Sequence, residues 1–161
     1  MRTDLEQIFR AAYPRVVAIA ARVLGGREAA EDVAQEVFLS FGRSAVPGPE
    51  APGWLAVAAA HTALNHLRAD RRRVAREAGE QHVDVPDVAD TVVGLEERRR
   101  VREALGRLPR RQATALVLRH SGLSYAEVAA ALDISPASVG TTVRRAESAL
   151  REELIRHASP L

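Results

Sequence analysis

The 161-residue chain contains no cysteine. That excludes disulfide staples, thiolate metal sites and thiol catalysis at once. It contains no lysine either: all 23 basic residues are arginine. Codon usage in a GC-rich genome explains this more simply than selection for the guanidinium fork, because a purely functional preference would leave some lysine on the surface. Aromatic residues make up only 4%. Sheets draw on aromatic and β-branched side chains, so this scarcity beside abundant alanine favours closely packed helices. No apolar run approaches the roughly 18–20 residues that span a bilayer. The first nine residues are polar and lack the apolar centre of a signal peptide. The expectation is a soluble, cytoplasmic protein with no membrane insertion.

What is present is unevenly placed. The net charge is +2, composed of +2 over residues 1–73, −6 over 74–97 and +6 over 98–161. A basic C-terminal third beside an acidic centre points to a nucleic-acid partner for the former. Two solvated surfaces joined by a disordered connector would have the same balance.

Helical periodicity runs through Leu5, Ile8, Phe9, Ala12, Val16, Ile19, Ala20 and Val23, with Pro14 inside and Gly25-Gly26 at the end. A second stripe runs through Ala30, Val33, Ala34, Val37, Phe38 and Phe41. Residues 45–53 hold three prolines and two glycines and read as a loop. Trp54 is expected to open a third helix through Leu55, Ala58, Leu64 and Leu67 into an arginine-rich end. Residues 77–90 lose the period and have a linker's composition. The pattern resumes near Val92, and Pro109 sets the start of a further helix closed by Gly122.

Residues 123–150 hold the strongest local signal. Ser124 and Glu127 form a Ser-x-x-Glu capping box. Ser135-Pro136 pairs an N-cap residue with a favoured first-turn residue. Leu132-Asp133-Ile134 between them has room only for a turn. Two helices so joined form a helix-turn-helix, the element that lays one helix in a DNA major groove. The predicted fold is all-α: two small helical domains, at 1–76 and 92–161, joined by an acidic linker at 77–91.

Within this frame Asp32, Gln35 and Glu36 share the polar face of the second helix. Paired carboxylates suit acid–base chemistry, but no nucleophile, metal motif or phosphate loop accompanies them in sequence. Neither an enzyme nor a cofactor is expected. Arg68, Arg71, Arg72, Arg73 and Arg76 crowd the end of the third helix. The helix dipole accounts for one or two of them; phosphate contact accounts better for five. Ser138, Thr141, Thr142, Arg144 and Arg145 are the polar positions of the second helix of the helix-turn-helix, opposite Ile134, Val139, Val143 and Leu150. Arg144 or Arg145 could take a guanine edge.

Three ordered motifs carry a resemblance. Glu31-Asp32-Val33-Ala34-Gln35-Glu36-Val37-Phe38-Leu39, then Trp54-Leu55 with Ala60 and Leu64-Asn65-His66-Leu67-Arg68, resemble region 2 of bacterial sigma-70-type factors. Leu108-Pro109-Arg110-Arg111-Gln112 with Leu118-Arg119 and the helix-turn-helix resemble region 4. The order and length are similar to the extracytoplasmic-function (group IV) sigma factors. The resemblance implies a transcription initiation factor that binds core RNA polymerase through Asp32, Gln35, Glu36 and Phe38. It implies promoter contact at a minus-ten element by Arg68 and Arg71–Arg73. It implies contact at a minus-thirty-five element by Arg119, Ser138, Thr141, Thr142, Arg144 and Arg145. An anti-sigma partner is a further implication. Trp54 is expected in the core rather than stacked on a base, and His61 and His66 on the surface rather than on a metal.

The chain departs from the family at Gly140 and Thr142, where basic residues are common, at Gly42, which replaces a common aromatic, and in its short Pro/Gly loop. Two other readings therefore stand beside the first: an operator-binding regulator independent of polymerase, and a sigma-like polymerase-binding protein with weak DNA reading. The acidic stretch 74–97 is expected to occupy a basic nucleic-acid channel and yield to growing RNA.

Overall fold

The computed structural model describes residues 2–77 and 94–158, the side chain of Glu77 apart. The predicted linker lies almost wholly outside the described residues, as does the expected helix start near Val92. Seven α-helices and one 3-10 turn make up the described secondary structure, with no strand among the described residues.

The first three helices form one packed unit because their apolar residues recur at helical spacing. Helix α1 (Leu5–Leu24) buries Val16, Val17, Ile19, Ala20, Val23 and Leu24. It runs through Pro14 without a break and stops at Gly25, whose left-handed φ of 79° lets its N–H reach the Ala21 carbonyl at 2.7 Å. Helix α2 (Arg27–Gly42) buries Ala30, Val33, Ala34, Val37, Phe38 and Phe41 in a clean three–four rhythm. Gly42 is buried too, and the space an aromatic would need is filled: a Cβ there would meet Leu5 Cδ2 at 3.2 Å.

Helix α3 spans Ala51–Glu77, so it begins three residues before the expected Trp54. The proline-rich stretch tightens into a 3-10 turn at Gly48–Glu50. Pro52 then falls in the first helical turn, where the N–H it lacks would have no helical partner. Leu55, Ala56, Ala59, Ala60, Ala63, Leu64 and Leu67 are buried; the alanines let neighbouring backbones approach. Phe9, Tyr13 and Phe38 form an aromatic cluster with centroids 4.8–6.2 Å apart. Trp54 is half-buried against Phe41, 5.6 Å between centroids, so it packs as expected. Arg2 lies over the Phe41 ring at 4.1 Å and is held there by Asp4 at 2.6 Å. This hydrogen bond lowers the Asp4 carboxyl below its ordinary range.

The second set of helices is shorter and relies on its ends. Helix α4 spans Leu95–Arg107, α5 Arg110–His120, α6 Tyr125–Leu132 and α7 Pro136–Arg156. The capping box is complete: Glu127 N donates to Ser124 Oγ at 3.1 Å, and Ser124 N to Glu127 Oε1 at 2.8 Å. Such a cap is worth about 1 kcal/mol. Gly122, at φ 93°, turns the chain from α5 into α6. The turn between α6 and α7 pivots on Asp133, a non-glycine residue at φ 56°; Asp tolerates this region better than most. Ser135 is extended, as an N-cap must be, but its hydroxyl makes no capping bond; it pairs with Ser138 Oγ at 3.3 Å.

The two sets of helices touch. Helix α6 lies on α3 and α5 on α1, and the buried apolar residues of both sets form one connected cluster. Two polar contacts and one close approach mark the seam. His61 Nε2 is 3.1 Å from Asp133 Oδ2. Arg22 Nη1 donates to Ser121 Oγ at 2.8 Å, at the C-terminal end of α5. Glu127 also rests against the bare backbone of Gly53, where a Cβ would lie 2.8 Å from its Oε2.

Candidate nucleic-acid and partner interfaces

Three surfaces collect the residues that the sequence singles out. The first is the outer face of α2. Asp32, Gln35 and Glu36 are exposed side by side because Val33, Ala34 and Val37 take the opposite face inward. Glu36 Oε2 lies 2.9 Å from His66 Nε2 across α2 and α3, so one of the three polar groups is already oriented. Phe38 does not stand with them: it is 5% exposed and packs on Phe9 and Tyr13. The exposed apolar side chain is its neighbour Leu39, at 59%. Leu5, Phe9, Gln35, Phe38, Leu39 and Gly42 line a shallow apolar groove beside the carboxylates. The sequence missed Leu39 as a surface group, although a large apolar residue outside the buried rhythm of α2 was the available signal, and it put Phe9 in the apolar stripe of α1, where the ring is 40% exposed.

The second surface is the end of α3. Arg68, Arg71, Arg72, Arg73 and Arg76 are all exposed. Nε of Arg72 donates to the Arg68 carbonyl and Nε of Arg76 to the Arg72 carbonyl, at 3.3 and 3.2 Å. Arg73 pairs with Asp70 at 3.0 Å. These bonds lay the side chains back along the helix and leave a continuous cationic strip. Upstream on the same helix, His61 and Asn65 are joined at 3.4 Å, and His61 meets Asp133. The α6–α7 turn therefore sits on the part of α3 just before the arginines. Both histidines are on carboxylates, and no group of three metal-ligating side chains occurs among the described residues.

The third surface is the start of α7. Ser138, Thr141, Arg144 and Arg145 are exposed, while Val139, Val143 and Ala146 are buried beneath them. Thr142 is half-buried, and its hydroxyl donates to the Ser138 carbonyl at 2.9 Å. That bond occupies its one donor and leaves the hydroxyl only its acceptor lone pairs. A groove lined by Gln112, Thr141, Arg144, Arg145, Ser148 and Glu152 runs alongside. Arg119 belongs to this surface but is partly committed: Nη1 donates to the Leu123 carbonyl at 2.9 Å, and the guanidinium stands 5.0 Å from the Tyr125 ring centroid. The sequence missed Tyr125, although it is the only aromatic residue after Trp54.

Among the described residues no helix is long and apolar enough to cross a membrane. The surfaces are a mixed polar–apolar face, a cationic strip and a helix-turn-helix.

Comparison with known proteins agrees with this layout. Residues 8–73 match the sigma-70 region 2 family, and residues 98–150 match sigma-70 region 4. The ECF RNA polymerase sigma factor SigK of Mycobacterium ulcerans is 33% identical over 146 residues, covering 85% of this chain and 78% of its own. SigK of Mycobacterium tuberculosis H37Ra is 32% identical over the same coverage. The sigma factor RpoE of Bartonella quintana, solved in complex with the anti-sigma factor NepR, has the same fold. It superposes with a TM-score of 0.75 at 23% identity, over 98% of this chain and 100% of that one. With both regions present in order and relatives matched over most of their length, the chain belongs to the sigma-70 family, in its ECF group of RNA polymerase sigma factors.

Proposed function

We propose that this chain binds core RNA polymerase inside the cell and directs it to specific promoters, contributing no bond-making chemistry of its own. The observation that carries this reading is the coexistence of a region 2 unit and a region 4 unit in one chain. An operator-binding regulator needs the second and has no use for the first. In this reading the α2 face with Asp32, Gln35 and Glu36 docks on polymerase, with Leu39 and the groove beside it supplying apolar contact and Phe38 setting its floor. The α3 strip of Arg68 and Arg71–Arg73 holds promoter DNA near the minus-ten element. Ser138, Thr141, Thr142, Arg144 and Arg145 face the minus-thirty-five element, with Arg119 at its edge.

The division into units at 1–76 and 92–161 is part of the same proposal, and it has a geometric requirement. Elements centred at minus ten and minus thirty-five are 25 positions apart, about 85 Å along B-form DNA at 3.4 Å per step. Helices α3 and α6, one from each unit, are in contact. Both elements can be held at once only after that contact opens. An anti-sigma partner that favours the touching arrangement would hold the chain inactive.

The test is to combine the purified chain with core polymerase and map transcript 5′ ends on genomic DNA. New start sites sharing two spaced upstream elements are expected. Binding without new start sites would instead support a sigma-like protein with weak DNA reading, and absence of binding would overturn the reading.

A further inference from the structure

Arg72, Arg68, Asn65 and His61 are spaced so that they share one face of α3. Hydrogen bonds join them in that order. Arg72 Nε donates to the Arg68 carbonyl at 3.3 Å, Arg68 Nη1 to Asn65 Oδ1 at 3.5 Å, and Asn65 Nδ2 to His61 Nδ1 at 3.4 Å. With Nδ1 accepting, Nε2 is the nitrogen that carries the ring proton. The cationic strip therefore continues upstream as a polar ridge and ends on the His61 Nε2–H donor.

A carboxylate already sits on that donor. Asp133 Oδ2 is 3.1 Å from His61 Nε2. Asp133 is a costly residue for its own helix. It caps α6 in the left-handed region at φ 56°, where glycine is usual, and its charge opposes the negative C-terminal end of the helix dipole. The other acid of α6, Glu127, also rests on α3. Its Oε1 is held by Ser124 N in the capping box at 2.8 Å, and its Oε2 lies 2.8 Å from where a Cβ on Gly53 would stand. The carboxylate cannot swing aside without giving up the cap, so α6 seats this closely because residue 53 has no side chain. Glu127 and Asp133 are the only acidic or basic residues between His120 and Arg144, in a half of the chain that is otherwise basic. Both are set against α3.

We propose that α6 is a built-in competitor of the promoter for α3. Asp133 occupies the His61 donor in place of a DNA oxygen, and Glu127 over Gly53 fixes that placement. The distance between the two promoter elements already requires the halves to part. The competitor adds that the closed chain cannot grip even one element along the whole ridge. Once α6 leaves, His61 becomes a DNA contact that extends the strip by about two helical turns beyond Arg68. This rests on the reading of Arg68 and Arg71–Arg73 as promoter-facing.

The test measures binding of a fluorescein-labelled single-stranded DNA oligonucleotide of mixed sequence to the purified full chain, without polymerase. The promoter-facing side chains of α7 are exposed in the closed chain, so they contribute equally to every variant. Asp133→Gly keeps the left-handed turn and removes the carboxylate; Gly53→Ala sets a methyl group against Glu127. Each is expected to tighten binding about fivefold, because apparent affinity rises with the fraction of chain whose site is open. His61→Ala breaks the same link from the other side but also removes the donor, so it should bring no gain. Adding Arg68→Ala to Asp133→Gly should cancel the gain. Equal binding by the unaltered chain, Asp133→Gly and Gly53→Ala would overturn the competitor, and a gain in His61→Ala as large as in Asp133→Gly would overturn the contact assigned to His61. If Arg68→Ala weakens binding even where the competitor fails, the strip stands as a DNA surface. If it has no effect in any background, that reading falls as well.

Discussion

The two halves of the molecule reach the same helical outcome by different means. Helices α1–α3 hold all but one of the aromatic residues, and most of those rings meet one another in a core that closes around Phe41. Helices α4–α7 have an aliphatic and alanine core, with Leu118, Leu123, Val128 and Val139 fully enclosed. They draw their definition from ends: a complete capping box, Gly122 and the left-handed Asp133. A core-built half suits a platform that must present a broad face without changing shape. An end-built half suits a short reading element whose outer side chains are free to differ from one protein to the next. The single aromatic of the second half is on the surface beside that reading element.

The largest effect should come from breaking the core of the platform. Phe41→Ala removes a fully buried ring and should cost about 3–5 kcal/mol. Denaturant unfolding followed by the fluorescence of the only tryptophan, Trp54, reports directly on this half. A cost under 1 kcal/mol would show that the platform is not built around Phe41. The equivalent insult to the second half is smaller and lies at a helix end. Ser124→Ala should cost about 1 kcal/mol, because one side-chain bond to the α6 N-terminus is lost. Thermal unfolding checks it, and a Ser124→Asp variant should recover most of the loss.

Smaller again is the seam between the halves. His61 and Asp133 are both partly exposed, and such pairs are worth about 0–1 kcal/mol. Asp133→Asn keeps a residue that tolerates the left-handed turn but replaces the carboxylate that faces His61 Nε2. It should leave the melting temperature nearly unchanged while making the halves part more readily. Asp133→Val should cost clearly more than Asp133→Asn, because a β-branched residue resists positive φ. Equal stability of the two would show that the turn is not conformationally demanding.

The smallest effect concerns pH. Arg2 holds Asp4 ionised below the ordinary carboxylate range. A lowered folded-state pKa gives a contribution that is present above the unfolded value and fades as pH falls through the folded one. A slight loss of stability below about pH 4 should therefore be reduced in Asp4→Asn, as read by melting temperature across pH.

Much of this was legible in the sequence, for physical reasons that differ by element. The stripes of α1 and α2 were clear because three–four apolar spacing survives without any tertiary knowledge, and the Ser124–Glu127 box because capping is local. The start of α3 was misplaced because proline and glycine signal a loop and a first helical turn alike. The apolar stripe of α2 already turned Phe38 inward, and the family resemblance alone put it among the polymerase-facing residues; its partners Phe9 and Tyr13 lie on another helix, which no local pattern encodes. The seam through His61, Arg22 and Gly53 was equally invisible, since each partner lies across the chain.

That seam supplies the sharpest test of the central claim, that two anchors touching in the structure must separate to work. The absence of cysteine makes it simple: Ala11→Cys and Ala158→Cys, both at exposed positions, give one dye on each half with no competing thiol. Energy transfer between them should be read in the free chain and in holoenzyme bound to promoter DNA. The account predicts a large fall in transfer on the promoter, as the halves move to elements about 85 Å apart. Unchanged transfer in an actively initiating complex would contradict it.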